Sequence, residues 1–267
     1  MDRKPIVDGR FYPGNAAQIR RFIDRHIQSA AGYTAARGII VPHAGYPYSG
    51  EVAIDVFRRI LPRKKIIVLG PNHSGLGAPA ALWPSGYWHV PGAAIPVDEE
   101  LAGKILEGDG PITADRDAHL REHSIEVELP LLNYFFPEAS IVPICLQTMD
   151  PGASQACAAQ LTGAIKSCRD EILLVASSDM SHYEPDASAR RKDRIALEDI
   201  LNLDAKSLQR HVREHSISMC GLAPVSILIE CMRIFGRRKA QVIKYQTSGD
   251  VTGDYDAVVG YAGVMVQ

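Results

Sequence analysis

Short apolar runs rich in β-branched residues alternate with segments whose apolar residues recur at helical spacing, and this alternation limits the fold more than any other feature. The predicted strands are 38–41, 66–69, 141–145, 172–176, 241–245 and 258–265. Several are continuous apolar runs, which is typical of strands covered by helices on both faces. No internal repeat or Gly/Ser/Pro linker interrupts the pattern. We therefore expect a single α/β domain over residues 1–267, with a central mixed β-sheet flanked by helices.

Capping residues predict where several helices begin. Asn15 and Asp150 each precede a stretch with apolar residues at helical spacing, and side chains of this type accept hydrogen bonds from first-turn N–H groups. Ser49 is predicted to cap a third helix. The stretch 222–235 is apolar almost all round, which predicts a buried helix. Residues 75–96 are rich in turn-forming residues and are expected to leave the sheet.

Composition and charge exclude several classes of protein. The 29 Lys and Arg residues against 31 Asp and Glu residues give a net charge of −2, so the sequence lacks the basic footprint of a nucleic-acid-binding protein. No apolar run reaches the roughly 18 residues that a membrane helix needs. The first residues lack the apolar core of a signal peptide. We expect a cytoplasmic protein that binds neither nucleic acid nor membranes, with its five cysteines as free thiols.

Three predicted strands are each followed by a turn-rich loop that carries a histidine, namely His43, His73 or His182. Ligands of open α/β sheets bind outside the carboxyl ends of the strands. Each histidine taken alone is best explained as a hydrogen-bonded loop residue, but the three together favour a site. His123 stands at the entry to a helix, and from there it can face the same cavity or the solvent.

Cys220 stands just ahead of the apolar helix predicted at 222–235. Two neutral imidazoles hold a divalent metal better when an anionic third ligand joins them, and a helix N-terminus lowers the pKa of a thiol. From the residues alone, a ligating thiolate and a buried structural cysteine are equally supported. The phosphate-binding and catalytic motifs G-x-x-x-x-G-K-[ST], G-x-G-x-x-G, G-x-S-x-G and H-E-x-x-H are absent from the sequence.

A set of motifs in a fixed order covers nearly the whole chain. They are FYPG at 11–14, VPHAGYPYSG at 41–50, GPNH at 70–73, EHSIE at 122–126, SDMSHY at 178–183, MCG at 219–221, SGD at 248–250 and VGY at 259–261. Together they resemble the Memo family, whose microbial members carry the label AmmeMemoRadiSam system protein B. The resemblance implies a fold similar to the class III extradiol dioxygenases. It also implies a functional link to a radical-SAM protein partner.

The resemblance further implies a metal site made by His43, His73 and Cys220. Asp179, His182 and His123 would then be the catalytic residues of the same pocket, with His182 as acid/base and Asp179 orienting His182 or a metal-bound water. The related dioxygenases hold Fe(II) with two histidines and a carboxylate, whereas a thiolate is a softer ligand. The expected cofactor is therefore iron or copper, with zinc as a further option, and ring-cleaving activity does not follow from the fold.

Three functions remain open on the sequence. The first is a metal-dependent redox protein, related to the non-haem iron dioxygenases, that acts on a small molecule. The second is a non-catalytic binding or adaptor module that uses the same cleft within a radical-SAM partner system. The third is a zinc hydrolase, because two histidines and a cysteine with an open fourth position also suit catalytic zinc.

Overall fold

The computed structural model describes residues 1–27, 32–168, 171–237 and 239–267. The α-helices are α1 (Ala16–His26), α2 (Tyr46–Phe57), α3 (Glu99–Leu106), α4 (Leu129–Phe135), α5 (Pro151–Lys166), α6 (Asp186–Leu201), α7 (Ala205–Glu214), α8 (Leu222–Ile234) and α9 (Gly249–Thr252). Short 3₁₀ helices cover Asp117–His119 and Glu126–Glu128. Within the described ranges, no helix combines the length and apolar character that crossing a membrane would require.

The strands are β1 (Gly38–Val41), β2 (Lys65–Pro71), β3 (Ala80–Leu82), β4 (Tyr87–Val90), β5 (Ala93–Pro96), β6 (Thr113–Ala114), β7 (Ser140–Leu146), β8 (Ile172–Ser177), β9 (His182–Glu184), β10 (Ala240–Thr247) and β11 (Val258–Val266). The main sheet has the order β10-β11-β1-β8-β2-β7-β3-β6, and β9 pairs with β11. Strands β1, β8, β2 and β7 run parallel, while β11 and β3 flank them antiparallel. The predicted central mixed sheet is confirmed, and each of the six predicted strands is present.

The parallel strands bury both of their faces, which explains their continuous apolar runs. Ile40 and Ile67 belong to one core cluster, and the adjacent residues Ile39 and Ile66 belong to the other. Since successive side chains of a strand point to opposite faces, the two clusters lie on the two sides of the sheet. Helices α5 and α8 contribute to the first cluster, and α1, α2 and α4 contribute to the second. The carboxyl ends of the parallel strands therefore form one open edge between two helical layers.

The predicted helix starts are correct in two cases and wrong in one. Asn15 and Asp150 each accept a hydrogen bond from a first-turn N–H group, at 2.9 Å. Ser49 does not cap a helix, because α2 already begins at Tyr46 and has Pro47 in its first turn. Proline fits that first turn because its fixed φ suits a helix and the N–H it lacks would be unpaired there. The buried helix predicted at 222–235 is confirmed as α8.

The turn-rich stretch 75–96 leaves the sheet only in part. Its strands β4 and β5 form a separate two-stranded sheet, as expected. Strand β3, however, belongs to the main sheet and pairs antiparallel with β7. At three residues, β3 is too short to show a strand pattern in the sequence, so its place depends on pairing that sequence periodicity does not reveal.

Candidate metal centre

The site residues predicted from the sequence meet at the carboxyl edge of the parallel strands. His43 follows β1, His73 follows β2, and Cys220 arrives from the segment before α8. The ligand atoms of these three residues lie within 4.8 Å of one another, and Sγ of Cys220 is 3.4 Å from Nε2 of His43. A nitrogen and a sulfur bound to one zinc-like ion at about 2.0 and 2.3 Å stand roughly 3.5 Å apart. The observed N–S spacing therefore suits two ligands of a common ion.

His43 is buried and its ring is fixed at the other nitrogen. Nδ1 lies 2.7 Å from Oγ of Ser177, the last residue of β8. Burial, followed by the nearby rings of His123 and His73, holds the pKa of His43 well below its ordinary value. The ring is therefore neutral. When Nδ1–H donates to Ser177, the lone pair of Nε2 faces Cys220.

Glu128 stands behind Ser177 and completes this chain of hydrogen bonds. Oγ of Ser177 is 2.8 Å from Oε1 of Glu128 and 2.9 Å from the carbonyl oxygen of Ser124. Ser177 has one proton, which cannot serve both oxygens at once. Burial raises the pKa of Glu128 well above its ordinary value, and a neutral acid has a proton of its own to donate. With Glu128 donating to Ser177 and Ser177 donating to Ser124, Oγ is left to accept from Nδ1–H of His43.

His73 is held by a different carboxylate, that of Glu122. Nδ1 of His73 lies 3.0 Å from Oε1 of Glu122, and the backbone N–H of His73 donates to Oε2. The backbone N–H groups of His123 and Ser124 also donate to Glu122, both at 2.8 Å. Burial alone would raise the pKa of Glu122, but His73 and these donors lower it to about 2. Nε2 of His73 is thereby left available to the site.

His123 faces the same group rather than the solvent. Its ring centroid lies 4.9 Å from that of His73 and 5.6 Å from that of His43. Its Nδ1 is 3.3 Å from Oε1 of Glu122. Burial lowers the pKa of His123 despite the opposing charge of Glu122. The structure therefore places a neutral third imidazole beside the two histidines of the candidate centre.

His182 and Asp179 lie on the side of Cys220, and polar atoms of the three residues are within 4.8 Å of one another. Nδ1–H of His182 donates to the carbonyl oxygen of Ser218 at 2.9 Å, which leaves Nε2 free to accept a proton. Oδ1 of Asp179 accepts the backbone N–H of His43 at 2.9 Å. Among the described residues, no hydrogen bond joins Asp179 to His182. The contacts of Asp179 hold the His43 loop instead.

The thiol of Cys220 differs from the sequence expectation in its acidity. Burial, and next the charge of Asp179, raise its pKa above the ordinary value. The lowering expected from the N-terminus of α8 does not outweigh burial. The thiol reaches the two histidines because the backbone at Gly221 packs closely against the end of β8. A Cβ at Gly221 would lie only 2.3 Å from Cβ of Ser178. Glycine at this position lets the segment before α8 approach the end of β8.

Comparisons with known proteins agree with this fold. The sequence model described as "Memo-like protein" matches residues 3–265. A MEMO1 family protein of Desulfurococcus amylolyticus is 39% identical over 277 residues, which is 98% of each chain. Those of Thermotoga neapolitana and Methanopyrus kandleri are 37% and 34% identical, over 100% and 99% of each chain. The chain therefore belongs to the Memo family.

A solved structure shares the fold at low sequence identity. The crystal structure of an uncharacterized protein from Escherichia coli K12 superimposes with a TM-score of 0.57 at 13% identity. The match covers 84% of this chain and 98% of the other. It supports the α/β architecture described above.

Proposed function

We propose that this protein binds one metal ion, iron or copper, through Nε2 of His43, Nε2 of His73 and Sγ of Cys220, and uses it in a redox reaction of a small molecule. The observation that carries the proposal is the state of the two imidazoles. Each has its Nδ1 engaged by a buried partner, Ser177 or Glu122, while its Nε2 remains available. Metal-ligating histidines have this arrangement, in which the second nitrogen donates to a fixed acceptor.

The donor set fits a metal that accepts nitrogen and sulfur. Imidazole suits iron, copper and zinc, and thiolate is the softest of the common protein ligands. The raised pKa of Cys220 does not oppose ligation, because a coordinating thiol is deprotonated by the cation. Bound iron or copper would supply one-electron chemistry at this edge of the sheet. The same sulfur is open to oxidation, so the site requires control over which oxidants reach it.

The remaining residues have roles that their contacts support. Nε2 of His182 accepts or delivers a proton, because Nδ1 is fixed on the carbonyl oxygen of Ser218 and Nε2 is left to the site. His123, neutral and beside His73, is a second proton acceptor. Asp179 positions His43 by accepting its backbone N–H. These assignments place proton transfer on both sides of the three ligand atoms.

Metal analysis of protein purified without chelator tests the proposal. We expect close to one equivalent of iron or copper, lost in the double variant His43→Ala/Cys220→Ser. The matched control is His89→Ala/Cys168→Ser, which removes the same atom types from two partly exposed positions outside the site. Sub-stoichiometric metal that is equal in all three proteins would refute the proposal. Stoichiometric zinc with metal-dependent ester hydrolysis would replace the redox function by the hydrolase.

A further inference from the structure

A cavity of about 220 Å³ opens directly against His73 and Cys220. Its walls come from the end of β2, from the segment 146–149 after β7, and from the segment 219–223 at the start of α8. His182, His123 and Asp179 are not among its lining residues. The cavity is thus a compartment that adjoins the candidate centre on the side of His73 and Cys220.

Carboxylate, ammonium and guanidinium side chains are missing from the described lining of this compartment. Among the described residues that form it, none is Lys, Arg, Asp or Glu. Two amides face it, but both already hold the turn at 74–77. Nδ2 of Asn72 donates to the carbonyl oxygen of Leu76 at 2.8 Å, and Nε2 of Gln147 donates to that of Gly77 at 3.2 Å. In the metal-free protein, a charged ligand would give up part of its hydration here without meeting a Lys, Arg, Asp or Glu side chain in the lining.

The size of the compartment limits what it can accept. An engineered apolar cavity of about 150 Å³ holds one benzene molecule. The volume of about 220 Å³ next to His73 therefore accommodates a single ring with one small substituent. Met149 and Met219 line it, and thioether sulfur makes favourable contacts with ring edges. Leu222 and Ala223 add further apolar wall.

We propose that this compartment binds the uncharged body of the substrate, the size of a ring with one small substituent, and that in the metal-free protein it binds organic anions and cations of the same size more weakly. The proposal rests on the proposed function in that the reactive group of the substrate faces His73 and Cys220. The selectivity for uncharged molecules comes from the walls alone. It is therefore tested in the metal-free protein, where no bound cation can attract or coordinate a probe.

Three probes of equal size and different charge test this selectivity, namely benzyl alcohol, benzoate and benzylamine. The metal-free protein is labelled with ¹³C at the methionine methyl groups, and Met149 and Met219 report binding by NMR. We expect benzyl alcohol to shift both signals saturably. Benzoate and benzylamine should bind at least about tenfold more weakly, because neither meets an opposite charge. Equal binding of all three probes, or no binding of benzyl alcohol, would overturn the proposal.

Two variants locate the binding in this compartment. Ala223→Phe fills it, and the benzyl alcohol response should disappear. Met149→Lys introduces a positive charge, and benzoate should then bind more tightly than benzyl alcohol, as read at Met219. A response that is unchanged in both folded variants would place the probe elsewhere and refute the inference.

Metal analysis of the same preparations, before the metal is removed, separates the two proposals. If benzyl alcohol binds selectively while metal is absent from the unmodified protein, the proposed metal function fails and the selectivity stands. If metal is stoichiometric while the three probes bind equally, the selectivity fails and the metal function stands.

Discussion

The two ends of the segment 122–128 hold the two candidate ligand histidines in opposite ways. Glu122 accepts hydrogen bonds directly from His73 and from backbone N–H groups, and its pKa is lowered to about 2. Glu128 reaches His43 only through Ser177, and its pKa is raised well above the ordinary value. Both carboxyl groups are buried. The comparison teaches that burial by itself does not decide whether a carboxyl group is ionised, because the hydrogen bond and charge of His73, together with backbone N–H donors, lower the pKa of Glu122 against burial.

This difference gives the two imidazoles unequal character as ligands. His73 donates to an anion, which raises its pKa although burial opposes this. His43 donates to a hydroxyl group and remains neutral, since burial and the neighbouring rings hold its pKa well below the ordinary value. A carboxylate partner increases the basicity of a ligating imidazole. We therefore expect His73 to be the stronger donor of the pair and Glu122 to matter more than Glu128.

Glu122→Gln should have the largest effect. The neutral amide accepts hydrogen bonds from His73 and the three backbone N–H groups less strongly than an anion does. Its NH₂ group would also point a donor at N–H groups that are themselves donors. We expect the free energy of unfolding of the metal-free protein to fall by about 3 kcal/mol. Metal affinity should fall by about 100-fold. Urea denaturation and competitive metal titration measure these two quantities.

Glu99→Gln is a control for the loss of one carboxylate at an exposed helix start. It should change the free energy of unfolding by less than about 1 kcal/mol and leave the metal affinity unchanged. If Glu122→Gln behaved like this control, the assigned ionisation of Glu122 would be wrong.

The pH dependence of stability gives a second view of Glu122. Its pKa is about 2 in the folded protein against an ordinary value of 4.5. This group therefore contributes stability that is present above pH 4.5 and is lost as the pH falls towards 2, about 3 kcal/mol in total. The raised pKa of His73 has the opposite sign, with stability present below its ordinary value of 6.5 and lost as the pH rises through the folded value.

The difference in unfolding free energy between wild type and Glu122→Gln should consequently be largest between pH 4.5 and 6.5. Urea denaturation of both metal-free proteins from pH 3 to 8 measures it. A difference that is constant over this range would show that hydrogen-bond geometry, rather than charge, holds His73.

The positions of His43, His73 and His182 could be predicted because each follows an apolar strand run, and carboxyl ends of parallel strands share one edge. Cys220 could not be assigned from pattern, since its segment precedes a helix and approaches only through the close packing at Gly221. Glu122 was missed although it adjoins His123 in the sequence. Its partners are mostly backbone N–H groups brought by the fold, and such partners leave no sequence signal.

Ser177→Ala should have a smaller effect than Glu122→Gln, and one confined to His43. The variant removes the acceptor of Nδ1–H and leaves Glu128 without its hydroxyl partner. Metal affinity should fall by about tenfold, the lower end of the range for such outer partners. Competitive metal titration measures this loss. The matched control is Ser181→Ala, which removes the hydroxyl group of a buried serine in the loop after β8. An equal loss in both variants would mean that the loop, not the tautomer of His43, had been disturbed.

Glu128→Gln should have the smallest effect, because an amide N–H replaces the acid proton that Ser177 accepts. Metal affinity should stay within about threefold of wild type, and the free energy of unfolding within about 1 kcal/mol. Infrared difference spectra of the metal-free proteins give an independent reading: a protonated carboxylic acid band present in wild type should be missing from Glu128→Gln. If that band is absent from wild type and Glu128→Gln loses metal affinity as severely as Glu122→Gln, Glu128 is ionised. The two ends of the segment would then act alike, and His43 would have an anionic partner through Ser177.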